Sequence, residues 1–177
     1  AFPSAFVDAR HVDVWLPPGY DANAAERYPV IYFHDGQNLF SGKHAFGGSS
    51  WGIDEAMHRL IAAGGTRGAI IVGLWNNGLT RFMEYMPRKA VSTPDIGFGL
   101  GDLRVASARI NSDSYLKFIV EEVKPFIDRT YRTRPDRAHT AIAGSSMGGL
   151  ISAYAVAEYP NVFGAAACVS THWPAGD

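Results

Sequence analysis

His139-Thr-Ala-Ile-Ala-Gly-Ser-Ser-Met-Gly-Gly-Leu-Ile-Ser152 decides how the rest of the chain is read. Ala141-Ile142-Ala143 is a short apolar run, flanked in the way of a buried strand. The chain then passes through Gly144-Ser145-Ser146-Met147-Gly148, and from Gly149 to Glu158 it reads as a helix. This is G-x-S-x-G in a strand–turn–helix setting, the context that presents a nucleophilic serine on a sharp elbow. Such a turn strains the serine backbone, and small residues two before and two after it let strand and helix approach closely. Ser146 Oγ is then expected at the carboxyl edge of a parallel sheet. The main-chain N–H of Met147 is expected at the helix mouth, where developing negative charge is stabilised. A phosphate-binding reading fails, because Gly144 to Gly149 lacks the Gly-Lys-Ser/Thr ending of a P-loop.

Upstream, His11 to Leu16 and the pair Phe6-Val7 alternate apolar and polar residues, as a half-exposed edge strand does. Val30-Ile-Tyr-Phe33 and Ala69-Ile-Ile-Val-Gly-Leu74 are continuous apolar runs typical of parallel strands covered on both faces. The first ends in His34-Asp35-Gly36-Gln37 and the second in Trp75-Asn76, both at carboxyl ends, where ligands meet an open α/β sheet. Gln37 is the candidate for a second main-chain donor. His34, Asp35, Trp75 and Asn76 are candidate pocket residues.

Between these runs, Ser50 to Ala63 reads as a helix with Ile53, Met57, Leu60 and Ile61 on one stripe. Asn76 to Asn111 is the longest irregular stretch and is expected to be a lid. It supplies Arg81, Glu84 and Tyr85 as pocket candidates, and Arg81 is also placed to pair with Glu84. Its run Gly97 to Gly101 follows no strand, which argues against a dinucleotide fingerprint. Asp113 to Tyr131 is an amphipathic helix capped by Asn111-Ser112, with Pro125 expected to bend it. Gly164 to Ser170 is a last strand, with the single cysteine, Cys168, read as a small core residue. Alternating strands and helices give an α/β class with a mainly parallel sheet flanked by helices.

The chain has 177 residues, enough for one domain with a real core. Its net charge of −1 suggests neither nucleic acid nor an acidic membrane surface as partner. No apolar run approaches membrane-spanning length, and no His, Cys or Asp spacing suits a metal, so no cofactor is expected. The sequence leaves open whether the protein is cytoplasmic or exported.

With these segments placed, the chain resembles the esterase family of α/β-hydrolases that includes feruloyl and other carbohydrate esterases, enterochelin esterases and esterase D. The resemblance is carried by Val14 to Tyr20, Tyr32-Phe-His-Asp-Gly-Gln-Asn-Leu-Phe40, Arg81 to Pro87, Phe118 to Asp128 and Ala143-Gly-Ser-Ser-Met-Gly-Gly-Leu150. It implies ester hydrolysis by a Ser-His-Asp triad, with Ser146 as nucleophile and the amides of Gln37 and Met147 as oxyanion hole. In such enzymes the order is serine, then acid, then histidine. Glu158 and His172 satisfy that order here. Glu158, however, lies about 18 Å along the helix axis from the serine at 1.5 Å per residue, too far to orient a base beside it. His172 is better placed, at the carboxyl end of the strand expected beside the nucleophile strand, as a surrogate base or as a pocket residue, and Trp173 is a further pocket candidate.

Gly164 to Val169 is apolar on both faces, like a central strand, yet no later segment pairs with its outer edge. The expectation is therefore a single domain, 1–177, incomplete at its carboxyl end, with the catalytic acid and histidine beyond residue 177. A carboxyl-terminal fragment or a second copy is the expected partner at the exposed edge. The small-molecule substrate is an ester, and the lid's aromatic and arginine content suits an aryl or sugar ester. The competing readings are an acyltransferase and a catalytically silent binding or assembly module of the same fold.

Overall fold

The computed structural model describes residues 1–97 and 104–173. Its strands and α-helices are, in chain order, β1 (Val12–Trp15), β2 (Val30–His34), α1 (Ile53–Ala62), β3 (Ile70–Leu74), α2 (Arg81–Tyr85), β4 (Asp95–Gly97) and β5 (Arg104–Ala106). There follow α3 (Ser112–Lys117), α4 (Lys124–Thr130), β6 (Thr140–Ser145), α5 (Met147–Glu158) and β7 (Ala165–Val169). Five strands form one sheet in the order β1-β3-β2-β6-β7, while β4 and β5 form a separate antiparallel pair. Only β1 runs antiparallel to its neighbour; the β3–β2, β2–β6 and β6–β7 pairings are parallel.

Side-chain alternation sorts the sheet's two faces. Val30 and Tyr32 of β2, Ile70, Val72 and Leu74 of β3, and Ile142 of β6 enter the larger core cluster with Tyr115, Phe118, Ile119 and Ile151 from the helices. On the other face Ile31, Phe33 and Ile71 meet Leu39 and the inner side of α1 through Ile53 and Met57. Leu60, expected on the α1 stripe, is instead half exposed, at 50%. Phe6-Val7 forms no strand. The extended residues there are Phe2 and Arg10, joined by an isolated antiparallel bridge.

The expected helix over 113–131 is present, but Pro125 does not simply bend it. A π-helical turn, Phe118–Val123, joins α3 to α4 without a break; Lys124 N–H donates to Ile119 O, and this wider turn stands directly before Pro125, which has no N–H to donate. Asn111 makes no side-chain cap; the neighbouring Ser112 Oγ accepts the N–H of Arg88. Nor is the stretch 76–111 an irregular lid. It contains α2 and the β4–β5 pair, and its Tyr85, Met86, Ile96 and Ile110 are buried in the main core. The part of the glycine run beyond Gly97 lies outside the described residues.

The chain steps from β2 to β3 on one side and later places β6 on the other side of β2. A crevice therefore opens at the carboxyl ends of β2 and β6, the position at which open α/β sheets hold ligands. At the far side β7 is an edge strand with all five residues exposed, Cys168 included. Cys168, expected in the core, is thus exposed among the described residues: an apolar run has the same composition whether or not another element covers it. Among the described residues no helix is long and apolar enough to cross a membrane.

Candidate active site

Ser146 stands at the junction of β6 and α5 with φ 58° and ψ −120°, a conformation costing an L-residue about 1–3 kcal/mol. The surrounding main chain holds it there. Its N–H donates to Val169 O of β7 (2.9 Å), while its carbonyl accepts the N–H groups of Gly149 (3.0 Å), Leu150 (3.2 Å) and His172 (3.3 Å). Space is tight at two of the glycines beside it. A Cβ on Gly144 would lie 2.6 Å from the carbonyl carbon of Gly148, and one on Gly149 would lie 2.6 Å from Thr171 Oγ1.

Ser145 and Ser146 line a cavity of about 620 Å³ together with Asp35, Gln37, Asn76 and Arg81. Asp35 follows β2 in a left-handed conformation (φ 58°, ψ 44°). Its buried carboxylate accepts Arg81 Nε and Nη2 at 2.7 and 2.8 Å and Asn76 Nδ2 at 2.7 Å. Burial alone would weaken the Arg81 charge. The hydrogen bonds and charge of Asp35 outweigh it, so the guanidinium is held more firmly protonated than usual. Gln37 Oε1 accepts the N–H of Asn76 (3.2 Å). The main-chain N–H groups of Gln37 and Met147 make no main-chain hydrogen bond among the described residues.

Several residues expected in the pocket lie elsewhere. Arg81 pairs with Asp35, not Glu84. Glu84 is buried in a bidentate pair with Arg10 (2.7 and 2.8 Å) and borders a separate cavity of about 480 Å³ with Phe6 and Arg109. His34 lies beneath the site, fully buried, sharing a 2.8 Å hydrogen bond with Tyr115 Oη. Burial, with a smaller contribution from Arg81 and against the pull of Asp35, brings its pKa down to about 3. It is a neutral packing group. Tyr85 is also buried, its Oη accepting the N–H of Asp35 (3.2 Å). Trp75 is off the cavity wall, its ring between His11 and His44 and its Nε1 donating to Asp13. Trp173 is 67% exposed and away from the cavity wall.

His172 adjoins Ser146 through its main chain only; among the described residues no side chain hydrogen-bonds Ser146 Oγ. Glu158 is ion-paired with Lys89, as its place at the end of α5 requires. No group of three or more His, Cys, Asp or Glu among the described residues could hold a metal ion.

The sequence reading missed the wall formed by Asn38, His44, Phe46 and Trp51. Asn38 builds it: its Oδ1 accepts the N–H of Phe46 (2.8 Å) and its carbonyl the N–H of Trp51 (2.7 Å). The signal available was position, since the segment directly follows the carboxyl end of β2. It has no periodicity to mark it.

Residues 4–175 match the sequence model of the family described as "Putative esterase". The chain is 25% identical over 165 residues to "Uncharacterized protein YbbA" of Bacillus subtilis, covering 93% of this chain and 58% of that protein. It is 28% identical over 161 residues to an endo-1,4-beta-xylanase/feruloyl esterase of Xylanibacter ruminicola, covering 86% of this chain and 18% of that protein. Among solved structures it is similar to the enterobactin esterase from Shigella flexneri, with a TM-score of 0.65 at 19% identity, covering 93% of this chain and 34% of the other. The chain thus spans less than two thirds of each of these proteins, and the last likeness concerns fold alone. The fold is that of α/β-hydrolases.

Proposed function

Because the chain belongs to this esterase family, we propose that it hydrolyses carboxylic esters through an acyl-enzyme on Ser146. The observation that carries the proposal is the Ser146 backbone, strained at φ 58° and ψ −120° on a strand-to-helix corner that opens into the cavity. Strain of this kind persists where it serves a site.

In the proposed reaction Ser146 Oγ attacks the ester carbonyl carbon, and a histidine outside the described residues, oriented by an acid also outside them, takes the hydroxyl proton. The carbonyl oxygen gains negative charge facing the N–H groups of Met147 and Gln37, whose lack of main-chain partners leaves them available as donors. The C–O bond to the alcohol then breaks, the alcohol leaves with the proton, and water releases the acid by the same steps in reverse order. His34 has no part in proton transfer, because its burial keeps it neutral and its Nδ1 is engaged by Tyr115.

On the alcohol or acyl side, Phe46 and Trp51 offer apolar surface in the cavity that the Asp35–Arg81 pair also lines. This suits an ester with an aryl or sugar group, as the name of the feruloyl esterase relative also suggests. The test is the burst of p-nitrophenol from p-nitrophenyl acetate in the full-length protein. Ser146→Ala is expected to abolish it, and an unchanged burst amplitude would rule the assignment out.

A further inference from the structure

The Asp35–Arg81 pair stands on the wall of the Ser146 cavity, where both groups have the look of substrate contacts. Their bonding indicates otherwise. The Asp35 carboxylate is nearly inaccessible, at 2% exposure for the residue, and is already engaged by three side-chain donors. Its main chain is fixed as well: the N–H donates to Tyr85 Oη and the carbonyl accepts the N–H of Asn38. The next residue, Gly36, is pressed onto β3 so closely that a Cβ there would lie 2.4 Å from the carbonyl carbon of Gly73. Gln37 follows directly, and its side chain is tied to the main chain of Asn76, the residue that also binds Asp35. Apart from the Leu39 N–H that donates to Gly36 O (3.2 Å), the hydrogen bonds described around the turn into Gln37 pass through Asp35, Asn76 or the guanidinium of Arg81.

Charge gives a second reason for the pair. Asp35 Oδ2 lies 3.4 Å from the position a Cβ on Gly148 would take, against the first turn of α5 and one residue from Met147. A lone carboxylate there would oppose the negative charge that develops on the substrate oxygen. Arg81 cancels it through a bidentate contact, while stacking over Tyr85 at 4.9 Å.

We propose that Arg81 is a positioning residue that acts through Asp35: it fixes the turn carrying the Gln37 amide and neutralises a carboxylate beside the oxyanion, without binding substrate. The inference rests on the esterase reading above.

The test measures kcat and KM for p-nitrophenyl acetate in the full-length protein at a temperature where each variant is folded. Arg81→Met is expected to lower kcat about 100-fold, the usual loss for one oxyanion donor, with KM within about threefold of wild type. Asp35→Asn combined with Arg81→Met is expected to regain at least about tenfold in kcat, since no unpaired carboxylate is left. Arg81→Lys, which keeps the charge and loses the planar fork, is expected to fall between Arg81→Met and wild type. Should Arg81→Met not fold, the kcat of Arg81→Lys and of the double variant decide the matter.

A KM raised about tenfold with kcat nearly unchanged would make Arg81 a substrate contact and overturn the proposal. So would a double variant no faster than Arg81→Met, or an Arg81→Lys with wild-type kcat. Ser146→Ala separates the two levels. Hydrolysis that survives it defeats the esterase reading; hydrolysis that it abolishes but Arg81→Met leaves intact defeats only the role of Arg81.

Discussion

Gly144 and Gly148 face each other across the Ser146 turn with no room for a methyl group: a Cβ on Gly144 would lie 2.6 Å from both the carbonyl carbon and oxygen of Gly148. The contact is backbone against backbone, so neither partner can rotate away. Gly144→Ala is therefore expected to cost about 1–3 kcal/mol in urea unfolding and to slow reaction of Ser146 with a fluorophosphonate. Wild-type stability in that variant would mean that β6 and α5 are less closely seated than described.

The strain at Ser146 is testable apart from its chemistry. Glycine adopts φ 58°, ψ −120° without penalty, because it populates the mirror image of the extended region. Ser146→Gly should stabilise the fold relative to Ser146→Ala by about 1 kcal/mol, both variants being inactive. Equal melting of the two would show that the corner carries no strain.

His34 makes stability depend on pH in a defined direction. Burial holds its folded pKa at about 3, against about 6.5 for an unfolded histidine. Between those values the unfolded chain binds a proton that the folded chain does not. The contribution is fully present above the unfolded pKa and is lost as pH falls through the window. From pH 7 to pH 5 the loss attributable to this group is about 2 kcal/mol. His34→Gln should flatten that part of the urea-unfolding profile, and an unchanged slope would contradict the burial of the imidazole.

The exposed strand β7 carries Ala165, Ala166, Ala167, Cys168 and Val169 on an edge that no described residue covers. Edge strands of this composition pair with other chains. The 177-residue chain is expected to associate with rising concentration in sedimentation velocity, and Ala166→Lys to shift it toward monomer. A chain that is monomeric throughout would show that the edge is protected in solution.

Much of this arrangement could be read in the sequence because local chemistry forced it. Gly144 and Ser146 are dictated by one tight corner, the runs in β2 and β3 by burial on two faces, and the helix over 112–130 by its apolar spacing. What escaped depended on distance along the chain. Arg81 and Glu84 are neighbours on one helical turn, yet their partners are Asp35 and Arg10, 46 and 74 residues away. Pairing at that range is set by how β1, β2 and α2 converge, which no spacing rule reports. His34 was readable in part: it shares the parity of Val30 and Tyr32 in β2, so alternation sends it into the core with them. Phe46 and Trp51 carry no such parity, and Cys168 shows that composition alone does not tell a covered strand from a bare one.

The most direct measurement is to trap the acyl-enzyme. The full-length protein is mixed with p-nitrophenyl acetate, quenched in acid during the burst and digested, and the peptides are weighed. The peptide containing Ser146 should carry the added mass of one acetyl group, absent in Ser146→Ala. An acetyl group found elsewhere, or a burst with Ser146 unmodified, would remove that serine from the reaction.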